Sequence, residues 1–289
     1  MTKTNSKNRA QIISHFIAIF FCGIAIISCQ EEKAIVPAKI TNNIVNLSAA
    51  HLLVSHISSG LLDTLPVDKE IPLLLELAAP TILTLTEGRN VHYIYVQPAQ
   101  SIELVKTNQK ISPSEPSTEN DYLQEFASLH QIANNEHKIE DLAANEVENF
   151  INSLFKKYKQ LEALNRKIVE DASLNDYYKT AMKNRLAAAL GNEILSYDFL
   201  YEYHHKRKPA RPDNFYNGIK TVPLDETLLL FKDGQDFGDQ LNMQGTSYKD
   251  FSSLDAYFTE VYQRVSTTFS KPIVQDFFAF NALENQVSV

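Results

Sequence analysis

Aromatic residues divide this chain in two. From Lys39 to Lys110 there is no Phe, and Tyr93 and Tyr95 are the only Tyr. The 13 Phe that follow residue 30 all lie beyond Lys110. The earlier stretch is rich in Leu, Ile, Val and Thr, the later one in Phe, Tyr, Asn, Lys and Glu. Short β-branched, alternating runs make strands, whereas apolar residues at three- and four-residue steps make helices. The chain of 289 residues therefore has to hold both, one after the other. Pro113 and Pro116, in a polar stretch, make 111–117 read as a linker. The expected class is α+β: a small antiparallel β-sandwich or sheet module over 38–110, then a mostly α-helical bundle over 118–289.

Within the first module, Thr81–Thr86, Val91–Val96 and Ser101–Lys106 read as strands, with Glu87–Asn90 as a turn. The last strand alternates, putting Ile102, Leu104 and Lys106 on one face. Pro72 belongs at a strand start or edge. In the second module, Ser117 reads as the cap of a helix from about Thr118 to Asn134, with Tyr122, Phe126 and Leu129 in one stripe. Further helices are expected from Asn145 to Glu170, Ser173 to His205, Asp225 to Phe231, Leu254 to Phe269 and Pro272 to Glu284. Pro272 suits a first helical turn, where its missing N–H would be unpaired anyway.

The first thirty residues read as an address. Lys3, Lys7 and Arg9 precede an apolar run from Ile12 to Ile27, and no acid occurs before Glu31. A basic start, an apolar stretch and a small residue before the cut describe a secretory signal. An N-terminal membrane anchor is the alternative, although the run is short for a span. Ile26-Ile27-Ser28-Cys29 resembles the bacterial lipobox. The resemblance implies cleavage between Ser28 and Cys29 and lipidation of Cys29, whose acyl chains would hold the protein to a membrane. Residues 1–28 are then the signal and 29–37 an acidic tether. Gln30, Glu31 and Glu32 resemble the surface-export signal of Bacteroidetes lipoproteins, or serve as an ordinary polar tether. Gln30 at the second mature position favours the outer membrane, on its periplasmic or its surface face.

Composition excludes several classes. The net charge is −8, and removing three cations with the signal leaves the mature chain at −11. An acidic surface disfavours nucleic acid, which calls for a basic one. Two Cys build no disulfide scaffold. Cys22 would leave with the signal and Cys29 would be a thioether, so no thiolate remains for redox chemistry. No phosphate-binding glycine loop, nucleophile elbow or zinc-protease motif occurs, and no cofactor or metal is expected.

Several segments resemble the N-terminal part of TlpA-like thiol-disulfide oxidoreductases of Bacteroidetes. They are the strand–turn–strand Val91–Leu104 with Pro98 in the turn, the helix start Asn120-Asp121-Tyr122-Leu123, and Asp213–Tyr216 followed by Leu224-Asp225. Ala99 and Gln100 stand where that family usually has Gly-Asp. The resemblance spans about residues 40–285 and implies fold and envelope location. It withholds activity, because the family's thioredoxin-like domain with Trp-Cys-x-x-Cys is missing from this sequence.

Other candidate sites have ordinary explanations beside the functional ones. His204-His205-Lys206-Arg207-Lys208 could contact an anion, but a helix C-terminus also favours cations. His130 and His137 read as a surface pair. Asp233–Asp239 resembles a calcium loop superficially, yet Phe237 falls at a ligand position, so a polar loop is expected. Asp63-Thr64-Leu65 resembles a Bacteroidetes O-glycosylation site. Tyr201 and Tyr203 could stack on sugars or simply pack. The leading expectation is a non-catalytic envelope lipoprotein with an interaction or scaffold role and an envelope protein partner. The alternatives are a thiol-disulfide oxidoreductase cut short before its redox domain, and a glycan- or nutrient-capture lipoprotein.

Overall fold

The computed structural model describes residues 36–44, 52–56, 61–65, 71–108, 110–243 and 252–287. Within 37–289 these residues form one compact unit. Eight strands come first: β1 Ala38–Asn42, β2 Leu52–His56, β3 Leu61–Leu65, β4 Leu73–Leu75, β5 Thr81–Glu87, β6 Asn90–Val96, β7 Ser101–Thr107 and β8 Lys110–Pro113. They make two four-stranded sheets, ordered β4-β1-β7-β8 and β3-β2-β5-β6. All pairings are antiparallel except β1 with β7, which run parallel. Ile40, Ile102, Leu104 and Ile111 of the first sheet share one apolar core with Val54, Leu83, Leu85 and Ile94 of the second. Two sheets sharing inner faces in this way form a sandwich. The α+β class expected from the aromatic divide is the one observed.

The stretch expected as a linker contributes structure. Lys110–Pro113 is the last strand, with Ile111 only 2% exposed. Pro113 is tolerated because β8 ends its sheet, where the missing N–H disrupts no ladder. Pro72 precedes β4, at the other end of the same sheet. The inward face of β7 carries Lys106 into the sandwich, where its Nζ meets both carboxylate oxygens of the fully buried Glu87, at 2.7 and 2.8 Å.

The helices are α1 Thr118–Glu136, α2 Ile139–Ala143, α3 Val147–Glu170, α4 Asp176–His205, α5 Lys232–Met243, α6 Leu254–Thr268 and α7 Pro272–Val287. Two 3₁₀ segments, Phe215–Thr221 and Glu226–Leu230, separate α4 from α5. Ser117 caps α1 by accepting from Asn120 N–H, and Asn175 caps α4 by accepting from Tyr178 N–H. Ser173, expected to open α4, instead binds the Asp171 carboxylate through its N–H and hydroxyl. Asn145 likewise stays outside α3 and donates back to the carbonyls of Asp141 and Leu142. Asp225–Phe231 tightens to a 3₁₀ segment, with Asp225 accepting from Thr227 N–H. Among the described residues no helix is long and apolar enough to cross a membrane.

Sandwich and helices join at β6, which ends its sheet. Ile94 and Val96 point into the sandwich, whereas Tyr93 and Tyr95 pack with the helices. The Asn120 side chain extends the sheet: its Oδ1 accepts from Tyr95 N–H at 2.8 Å, and its Nδ2 donates to Tyr95 C=O at 3.2 Å. A buried amide thereby satisfies backbone groups that a strand edge would leave open. The Tyr95 ring meets Tyr178 of α4 edge to face at 5.5 Å.

Candidate functional site

Helix α4 runs through the middle of the helical region and carries buried residues on most sides, Asn184, Arg185 and Glu193 among them. Arg185, Ala189, Asn192, Glu193 and Ser196 recur on it at helical spacing, and together they line a cleft of about 660 Å³. Helices α1, α3 and α5 supply its other walls with His130, Lys157, Tyr158 and Asp233, and Tyr93 reaches it from β6.

Arg185 is 5% exposed. Its guanidinium sits 4.1 Å from the Phe126 ring centre, 4.5 Å from Phe231 and 4.8 Å from Tyr93. These ring faces attract a cation that has left water, and its Nε donates to Asp233 Oδ2 at 2.9 Å. Asn192 Nδ2 donates to the Asp233 carbonyl at 2.8 Å, so two residues of α4 converge on the first turn of α5. On the other side of the cleft, Lys157 Nζ binds Glu193 Oε1 at 2.6 Å, and the Tyr158 hydroxyl donates to the same oxygen at 3.0 Å.

His130 links the two pairs. Its Nε2 lies 3.5 Å from the Tyr158 hydroxyl and its Nδ1 3.5 Å from Asp233 Oδ1. Burial pushes its pKa below the ordinary value, and the cations Arg185 and Lys157 push the same way, against Asp233. The imidazole is therefore neutral near pH 7, and its contact with Asp233 is not an ion pair. Burial raises the Glu193 carboxyl, with Lys157 and Tyr158 opposing. It also raises the Tyr158 hydroxyl strongly, helped by Glu193. Buried charges are tolerated when each has a partner, and here Arg185 is paired with Asp233 and Lys157 with Glu193, although Arg185 Nη1 and Glu193 Oε2 have no hydrogen-bond partner.

The expected surface pair His130 and His137 is not one. His130 has an 18% exposed side chain inside this cleft, and His137 is the residue that ends α1. The expected polar loop Asp233–Asp239 lies in helix α5. Gly234 and Gly238, four residues apart, look like loop punctuation but are contact glycines. A Cβ at Gly234 would strike the Leu228 carbonyl, and one at Gly238 the Phe278 ring. Phe237 lies against Gly191 of α4 and is fully buried.

Arg207 of the basic run donates to Glu146 at 2.8 Å, and His205 Nε2 lies 2.8 Å from the Ala144 carbonyl, so both hold the end of α4 to the start of α3. Lys206 ends α4 with φ 53°, its Nζ over the Tyr203 ring. Tyr201 is fully buried, donating to Glu146 at 2.6 Å, whereas Tyr203 is 64% exposed. Tyr201 therefore offers no face to a sugar. Asp63 and Thr64 are exposed on β3, at the end of its sheet. Ser28, Cys29, Gln30, Glu31 and Glu32 lie outside the described residues.

Sequence reasoning missed Lys157, Arg185, Asn192 and Glu193. The available signal was charge interrupting an inward stripe: Arg185 sits beside Leu186 and Glu193 one turn beyond Ala189. Among the described residues, no group of three or more His, Cys, Asp or Glu side chains is placed to hold a metal ion. No protein-family model, curated protein or solved structure matches the chain.

Proposed function

We propose that this chain is a bacterial envelope lipoprotein, held to the outer membrane through lipid on Cys29, whose folded part works by binding and not by catalysis. The observation that carries the reading is the order of basic start, apolar run and Ile26-Ile27-Ser28-Cys29. A single acyl chain holds a protein only marginally, so the several chains of a bacterial lipoprotein are what make such a tether stable. The second half is supported by the concave cleft of about 660 Å³ along α4, a volume within the range of small-molecule sites.

Kinship with the front region of TlpA-like proteins belongs to the same proposal. It is supported by what one resembling residue does and by the backbone at one point of departure. Asn120 completes the edge of β6. Ala99, where that family usually has Gly, takes φ 62°, a conformation that glycine adopts freely.

The test is fractionation of a Cys29→Ser variant. The variant is expected to leave the membrane fraction or to retain an uncleaved signal. A variant that is still processed and membrane-bound, with processing still blocked by a signal peptidase II inhibitor, would remove the basis for the reading.

A further inference from the structure

Strand β6 has an open edge beyond the point that Asn120 closes. Tyr95 gives both its N–H and its C=O to the Asn120 side chain. Along an antiparallel strand the backbone groups of successive residues point to alternate sides. The register of β6 with β5 is unbroken from Asn90 to Val96, so Val91 and Tyr93 send their N–H and C=O to the same outer edge as Tyr95. Among the described residues, none of these four groups has a hydrogen-bond partner. Val91 is 37% exposed and Tyr93 half-buried. A groove of about 420 Å³ runs beside that edge, between β6, β8 and α1. Its apolar lining includes Ile111 and Leu123, each 2% exposed. Gln124, Ala127 and Gln131 line it from one stripe of α1. Val91, Tyr93, Ala127 and Gln131 also line the cleft along α4, so the two spaces adjoin.

We propose that this groove binds an extended, acidic peptide segment of a partner protein, which adds to the edge of β6 as a short further strand. The inference rests on the reading of the chain as a binding protein, but on residues other than those that anchor it.

Backbone spacing selects the class of ligand. Asn120 shows the complement that this edge takes: one amide that accepts from the N–H and donates to the C=O of a single residue. Val91 and Tyr93 repeat that pattern at intervals of about 7 Å, the two-residue step of a strand. A peptide backbone supplies a matching amide pair at every second residue, which is how an exposed edge recruits a strand. A sugar or a lone primary amide has no such repeat.

The walls narrow the choice of side chains. Ile111 and Leu123 suit an apolar residue on the inward face of the added strand. The charged residues of the groove are Arg89, exposed in the turn before β6, and Lys110, and no acid lines it. Complementary charge therefore puts an acidic side chain on the peptide.

The experiment is amide hydrogen exchange read by NMR on the full chain in detergent. The probes are end-blocked pentapeptides of alternating Thr and Val in which one Thr is replaced by Glu or by Gln. In the free chain the amides of Val91 and Tyr93 are expected to exchange faster than those of His92 and Ile94, which face β5. A Glu peptide is expected to slow Val91 and Tyr93 saturably. Methylating its backbone nitrogens is expected to weaken binding about 10-fold or more, the effect of losing two backbone hydrogen bonds. Val91→Pro removes one outward N–H, a change that an edge strand tolerates, and is expected to weaken binding about 3- to 10-fold. Arg89→Gln, on the exposed turn, keeps the inference testable if Val91→Pro does not fold. It is expected to weaken the Glu peptide about 2- to 5-fold and to leave the Gln peptide unchanged. The inference is overturned if Val91 and Tyr93 are already protected in the free chain, if no peptide protects them, or if the methylated peptide binds equally well. Protection that follows a concentration-dependent dimer without peptide would assign the edge to a second copy and overturn it too. If Cys29-dependent anchoring persists while peptides fail, only this inference falls.

Discussion

At the residue scale, the turn between β6 and β7 shows a local conflict that the fold tolerates. Pro98 takes the second turn position, Gln100 N–H donates to Gln97 C=O at 3.2 Å, and Ala99 between them is at φ 62°. A positive φ at the third position asks for glycine. The left-handed conformation costs an L-residue about 1–2 kcal/mol, part of which is offset because glycine loses more freedom on folding. Ala99→Gly is therefore expected to stabilise the protein by about 0.5–1 kcal/mol in chemical denaturation; an unchanged or lower midpoint would contradict the turn geometry. Asp239 carries the clearest pH dependence. Burial raises its pKa from the ordinary 3.8 to about 6, with Asp236 helping and Asn281 and Lys232 opposing. The folded chain then holds that proton more tightly than the unfolded chain. The contribution favours folding below the ordinary value and is lost as pH rises towards 6. Asp239→Asn, always neutral, should match wild type at about pH 4 and be more stable than it at about pH 7. Denaturation curves at the two pH values check this, and parallel loss in both proteins would refute it.

At the scale of elements, β6, β7 and helix α3 were legible because one periodicity served each of them. Val91–Val96 alternates between sandwich and helices, and Phe150, Leu154, Tyr158 and Leu161 keep one side of α3 buried. Helix α5 was not legible, because Asp233, Gly234, Asp236 and Gly238 are residues that ordinarily mark a loop. Only packing explains its glycines: Leu228 of the preceding 3₁₀ segment for Gly234, and Phe278 of α7 for Gly238. The α5 register can be tested there. Gly234→Ala puts a methyl against a backbone carbonyl that no side-chain rotation relieves. Overpacking of this kind typically costs about 1–3 kcal/mol, and alanine's better helix propensity returns about 1. A net loss is expected in thermal or chemical unfolding. Gly218→Ala, where a Cβ meets nothing within 4 Å, is the control and should change stability by less than about 0.5 kcal/mol. Equal effects at the two glycines would contradict the packing.

At the scale of the whole molecule, a sandwich and a helical region meet through Tyr93, Tyr95 and Asn120, and the cleft opens along α4 next to that seam. The site draws on residues from 91 to 240, so local patterns carried little of it. His130 looked like a surface residue because its partners Tyr158 and Asp233 lie on other helices. The proposed lipobox, Ile26-Ile27-Ser28-Cys29, is contiguous in sequence and lies outside the described residues. The proposed envelope location rests on that motif. The most direct measurement is the mass of the N-terminal peptide of the protein extracted from membranes of a lipoprotein-processing bacterial host. The expected result is a chain that begins at Cys29 and carries a diacylglyceryl thioether on its sulfur. A chain that begins at Met1, or a Cys29 with a free thiol, would contradict the account.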